Sequence, residues 1–160
     1  MNNVSDIMAT SPQTVEEALA LIKTYLCSAG FVEGIDFVRG SEEKEMENCY
    51  ILQSPMSGDP IYIFCLHLEF SKLMEVLIQA FPVKLPTANM EAFYRELLDI
   101  NCKLSWASIG IEDDSIVVST VRAFEHLYKE ELYWALDRTD RMRVYIQQKV
   151  SKKFNVPLTK

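Results

Sequence analysis

Residues 61–81 read Ile61-Tyr62-Ile63-Phe64-Cys65-Leu66-His67-Leu68-Glu69-Phe70-Ser71-Lys72-Leu73-Met74-Glu75-Val76-Leu77-Ile78-Gln79-Ala80-Phe81, and the division of this stretch decides the fold. Tyr62 to Leu66 is apolar at every position, the pattern of a central strand covered on both faces. Lys72–Phe81 fits two periods. Met74, Val76, Ile78 and Ala80 alternate with Glu75 and Gln79 as in a strand, whereas Leu73, Leu77 and Phe81 recur at a helical spacing. Pro82 and Pro86 end the segment either way. We read 61–68 and 72–81 as consecutive strands.

Working toward the N-terminus, Ser54-Pro55-Met56-Ser57-Gly58-Asp59-Pro60 is a turn cluster. Before it, Ile35–Arg39 and Asn48–Gln53 carry β-branched and aromatic residues between turn formers, which predicts two more strands. Thr14-Val15-Glu16-Glu17 is a capping box. Val15, Ala18, Leu19, Ile22, Tyr25, Leu26 and Ala29 then keep one helical face, and Gly30 supplies the stop, so a helix is predicted over about 14–29.

Toward the C-terminus, Thr87 or Asn89 caps a second helix with Met90, Phe93, Tyr94, Leu97 and Leu98 as its buried stripe. Glu91 and Arg95 form a supporting pair, and Asn101 ends the helix in the left-handed conformation. Trp106–Ile111 and Ile116–Arg122 flank Glu112-Asp113-Asp114-Ser115 as a hairpin. From Tyr128 to Phe154 neither Gly nor Pro occurs, and Leu132, Ala135, Leu136, Thr139, Met142, Ile146 and Val150 form a stripe. Such a helix would be about 40 Å long, so it should break near Thr139-Asp140 or pack its far end elsewhere.

The order α-β-β-β-(β)-α-β-β-α predicts an α+β domain, an antiparallel sheet packed against helices. The predicted bounds are 14–154, with 1–13 a flexible N-terminal tail and 155–160 a C-terminal tail.

The composition narrows the function. The 160 residues hold 16 Lys plus Arg against 23 Asp plus Glu, a net charge of −7, the wrong sign for a general nucleic-acid binder. The surplus acid falls in the first sixty residues, notably Glu42-Glu43-Lys44-Glu45-Met46-Glu47, read as a solvated loop or an acidic rim. No apolar run spans a bilayer, and the first residues lack a secretory pattern, so we expect a cytoplasmic protein with no membrane partner. Asn3-Val4-Ser5 is then a chance glycosylation match. Cys27, Cys49, Cys65 and Cys102 include no C-x-x-C pair and read as reduced thiols packed as small hydrophobes. His67 and His126 lack metal-type neighbours, and Asp113-Asp114 falls far short of a calcium site. With no nucleophile motif, no phosphate loop and Glu130-Glu131 unable to face each other, we expect no enzyme, catalytic residue, cofactor or metal. Trp106, Trp134, Tyr133 and Tyr145 stand out as side chains suited to an interface, the last three beside the main stripe of the final helix.

Leu97-Leu98-Asp99-Ile100-Asn101 resembles the L-L-x-x-N helix end of the YbjN-type proteins and of the class I type III secretion chaperones. The hairpin Ile109-Gly110-Ile111-Glu112-Asp113-Asp114-Ser115-Ile116-Val117-Val118 and the helix opening Lys129-Glu130-Glu131-Leu132 fit the same pattern, which covers most of 14–153. The strand-like 73–81 and the polar 42–47 loop set the chain nearer the YbjN-type group. The resemblance implies a non-enzymatic α+β module, often a homodimer. It is chaperone-like in binding extended client segments along apolar patches, or a sensory or stress regulator. Together these readings predict a protein-binding module with a protein client or regulatory partner. The alternative is a small-molecule-sensing regulatory domain with a pocket between sheet and helices.

Overall fold

The computed structural model describes residues 12–41, 46–68 and 73–159. Helix α1 (Val15–Ser28) is followed by strands β1 (Phe37–Arg39), β2 (Cys49–Gln53), β3 (Pro60–Leu68) and β4 (Leu73–Ala80). Helix α2 (Met90–Asn101), the hairpin β5 (Ser108–Glu112) and β6 (Ser115–Ala123), and helix α3 (Lys129–Ile146) complete the order. The class is α+β. One six-stranded sheet runs β1-β2-β3-β4-β6-β5 and every pairing is antiparallel.

The alternation in 73–80 prevails over the helical spacing. Met74, Val76, Ile78 and Ala80 are buried, while Leu73, Glu75, Leu77 and Gln79 are half-buried on the other side. Phe37, Leu52, Ile61, Ala80, Val118 and Ile109 form one file across all six strands. This face is packed under the helices. Ala18, Leu19, Ile22 and Leu26 of α1 join Leu132, Ala135 and Leu136 of α3 over Phe37, Tyr50, Ile63, Val76 and Ile78. A second cluster gathers Phe93, Leu97 and Ile100 of α2 with Ile116, Val118, Ile146 and Val150.

Helix α1 starts as its capping residues require: the Glu17 amide donates to Thr14 Oγ1 at 3.2 Å. The Glu17 carboxylate reaches one residue further back than a capping box demands, accepting from the Gln13 amide at 2.7 Å. Gly30 takes φ +91° at the stop, where an L side chain would be strained.

Several expectations need correction. Asn89 precedes α2 with φ 58° and makes no side-chain cap. Leu98 is 62% and Tyr94 36% exposed, so the buried stripe is Phe93, Leu97 and Ile100. Asn101 is the last helical residue, not a left-handed stop. Its Oδ1 accepts from the Ile109 amide at 3.0 Å, fastening α2 to the edge strand. Asn101→Ala should therefore cost about 1 kcal/mol and speed hydrogen exchange at Ile109; unchanged exchange would refute the tie.

The last helix does not break at Thr139-Asp140: α3 runs unbroken through both residues, which are buried. The Thr139 and Thr120 hydroxyls lie 3.0 Å apart. The irregularity comes later, as a π-helical stretch over Gln147–Ser151 leading to a final turn, Lys152–Phe154. The far end packs inside the domain, Phe154 meeting Phe93 edge-on at 5.2 Å. The next residues also lie against the body. Val156 is buried, and Leu158 bridges Val83. Of 1–13, set apart as a tail, only Pro12 and Gln13 are among the described residues, and Glu42–Glu45 of the acidic loop lie outside them.

A titratable clamp joins α2 to the end of the last helix. Glu96 meets Lys149 at 2.8 Å and Lys153 at 2.5 Å. Hydrogen bonds from these lysines hold its carboxyl at about 2, below its ordinary 4.5. The clamp's contribution is complete above the unfolded value and is lost as pH falls toward 2. Glu96→Gln should flatten the wild-type loss of Tm across that window, and salt should shrink the difference. Parallel curves for both proteins would contradict it.

Candidate interaction surface

The face of the sheet turned away from the helices is built from the alternate residues of the same strands. One file is Val38, Ile51, Tyr62, Gln79 and Ser119; the next is Cys49, Phe64, Leu77 and Val121; a third opens with Leu66 and Glu75. Tyr62 and Phe64 stack with centroids 6.2 Å apart, and Phe81 meets Tyr62 edge-on at 5.7 Å. Val38 and Val121 are each 45% exposed, and Ile51, Tyr62, Phe64, Leu66, Leu77 and Phe81 are half-buried. None of them joins either helix-packed cluster. The expectation that Tyr62–Leu66 is covered on both faces is therefore wrong among the described residues. Ile63 and Cys65 face the helices; Tyr62, Phe64 and Leu66 do not.

This surface carries little charge. Glu75 sits toward one end, and Gln79 lies 3.4 Å from both Glu112 Oε2 and Ser119 Oγ toward the other. A contiguous apolar patch with a polar rim is the composition of a polypeptide interface. The sheet edges are β1 and β5. Beside β5, Tyr94, Leu97 and Leu98 line an apolar groove with Ile109, Gly110 and Ile111.

Of the residues singled out for chemistry, His67 borders a small pocket with Phe124 and Glu125 of the turn that holds His126. His67 is exposed near the end of β3, and His126 closes the 3-10 turn Phe124–His126. The four thiols are free. Cys49 and Cys65 are buried, but Cys27 and Cys102 are exposed, against the expectation that all four pack inside. Burial pushes the Cys65 thiol up to about 12, so it stays protonated at neutral pH. Asp114 is engaged by Lys84 at 2.7 Å, and Asp113 occupies the hairpin turn with φ 52°. No group of three or more metal-type side chains occurs among the described residues. Tyr133, expected beside the main stripe, is tied to α1, its hydroxyl donating to the Tyr25 carbonyl and lying 3.0 Å from Ser28 Oγ. Trp134 and Tyr145 remain 50% and 43% exposed.

The polar centre that sequence reading missed is a buried tie under the turn between β2 and β3. Arg143 is fully buried and binds Asp140 through Nε at 3.0 Å and Nη2 at 2.6 Å. It also reaches Ser57 and Asp59 of the turn and Gln147 of its own helix. Ser54 Oγ donates to the other Asp140 oxygen at 2.6 Å. Both Asp140 oxygens are thus engaged, the fully bonded state that burial of charge demands. Asp140 also borders a small apolar cavity of about 130 Å³ between Phe31, Leu52, Ile61, Tyr133 and Leu136.

No helix among the described residues is long and apolar enough to cross a membrane. Compared with known proteins, the chain matches no protein-family model and no curated protein.

Proposed function

We propose that this chain is a non-enzymatic protein-binding module, chaperone-like or regulatory, that takes another polypeptide on its open sheet face. The observation that carries the reading is the apolar surface of Ile51, Tyr62, Phe64, Leu66, Leu77 and Val121, with no helix on it among the described residues. Leaving such a surface in water is unfavourable by about 25 cal/mol per Å², and a second chain removes that cost.

The first occupant is a second copy of the chain. A twofold axis sets the same patch against itself, and a surface this poor in charge meets its copy without like-charge repulsion. Two such sheets pack at a spacing of about 10 Å. The resemblance of 97–101 and 109–118 to the YbjN-type proteins and the secretion chaperones supports a homodimer of this kind.

The small-molecule reading has in its favour the cavity of about 130 Å³ between sheet and helices and the apolar groove between α2 and β5. The cavity is well below the roughly 300 Å³ at which ordinary ligand pockets begin. The groove, about 410 Å³, passes that size but is open to solvent at the sheet edge, so protein binding is preferred. The test is the molecular mass in solution and its response to a charge placed on the sheet face. A dimer dispersed by that charge supports the reading; a monomer that captures no protein from lysate refutes it.

A further inference from the structure

On the helical side of the molecule, Arg138 of α3 lies over two indole rings. Its guanidinium carbon is 3.1 Å from the centroid of the Trp134 ring and 5.0 Å from that of Trp106. Trp134 stands one helical turn before it, and Trp106 arrives from the loop that leads into β5. Arg39, Arg95, Arg141 and Arg143 each hold a carboxylate. Arg138 has no ion pair or hydrogen bond among the described residues, although the chain is rich in acid.

We propose that this Trp-Arg-Trp stack is a binding site for a carboxylate that carries an aromatic or alkyl group. A guanidinium held over aromatic rings keeps its N–H donors at its own edge, and a planar carboxylate matches that fork with two parallel bonds. The stacking also fixes the rotamer before the ligand arrives, which lowers the ordering cost of binding. The half-exposed Trp134 offers apolar surface beside the charge for the rest of the ligand. Arg141 is occupied by Asp137 and Arg143 is buried with Asp140, so Arg138 stands alone as a cation of this helix segment. One positive charge balances a carboxylate monoanion, not a phosphate dianion. The acid can be a free small molecule or the C-terminus of a polypeptide. The site is separate from the sheet face and does not depend on the protein-binding reading.

The chain has two tryptophans, both in this stack, so their two indole N–H resonances report on the site alone. Titration with phenylacetate should move both resonances saturably, while neutral phenylacetamide and inorganic phosphate should not. Arg138→Gln should weaken phenylacetate binding at least tenfold. Arg138→Lys keeps the charge but loses the fork, and should fail to restore it. A Phe-terminated peptide with a free C-terminus, compared with its amide, separates the sources. Tighter binding of the free form than of phenylacetate assigns a polypeptide end, and weaker binding assigns a small acid. Equal binding of phenylacetamide or phosphate, or wild-type affinity in both variants, would overturn the proposal.

Discussion

Asp140→Ala should destabilise the domain by about 3–5 kcal/mol, among the largest effects of any single substitution in this protein. Arg143 is fully buried, and Asp140 supplies the carboxylate that is buried with it. Its other acidic partner, Asp59, is 38% exposed and belongs to the turn. Removing Asp140 leaves a buried cation incompletely paired and Ser54 Oγ without its acceptor. At this chain length such a loss lowers Tm by roughly 10 °C. Replacing Asp140 and Arg143 together with apolar residues of similar volume should cost much less than the sum of the single changes, because no unpaired charge remains. Denaturant titration of the two single variants and the double variant measures this. Additive losses, or a loss under about 1 kcal/mol for Asp140→Ala, would show that the tie is not what holds the turn.

The second large effect is on association. Phe64→Glu should weaken self-association about 100-fold or more, since an unpaired carboxylate would have to be dehydrated at the centre of the apolar face. Its effect on folding should stay near 1 kcal/mol or less. Phe64 lies outside both helix-packed clusters, and what it gives up is cross-strand packing with Leu77 and stacking on Tyr62, contacts of roughly 0.2–1 kcal/mol each. Sedimentation velocity gives the first quantity and thermal unfolding of a dilute sample the second. Loss of folding together with association would mean that the face is part of the core and not an interface.

What was legible in the sequence was local. Thr14-Glu17 and Gly30 act within one or two helical turns, so the first helix could be placed from its own residues. The period of two in 73–80 also belongs to the segment itself, and it outweighed the competing Leu73-Leu77-Phe81 spacing. Tyr62–Leu66 was misread for a physical reason. A face that meets a partner chain needs the same aromatic and aliphatic residues as one that meets a helix, so composition cannot separate them. Leu98 was misplaced in the same way, being apolar and next to the buried Leu97 yet exposed.

The buried tie was hidden by distance. Arg143 interrupts the apolar stripe of α3 and looks like a solvated residue until the turn at Ser54–Asp59 is brought beneath it. The one local clue was Asp140 three residues before Arg143, the spacing of neighbours on one helix face. The Arg138 stack offered a similar half-clue in Trp134 four residues earlier, while its second indole comes from a distant loop.

Hydroxyl-radical footprinting of the aromatic side chains, from dilute to concentrated protein, tests most directly whether another chain occupies the open sheet face. Oxidation of Tyr62, Phe64 and Phe81 should fall as concentration rises, while that of Trp134 and Tyr145 on α3 stays constant. Equal oxidation of Tyr62 and Phe64 at every concentration, in a protein that sediments as a single chain, would contradict the proposed interface.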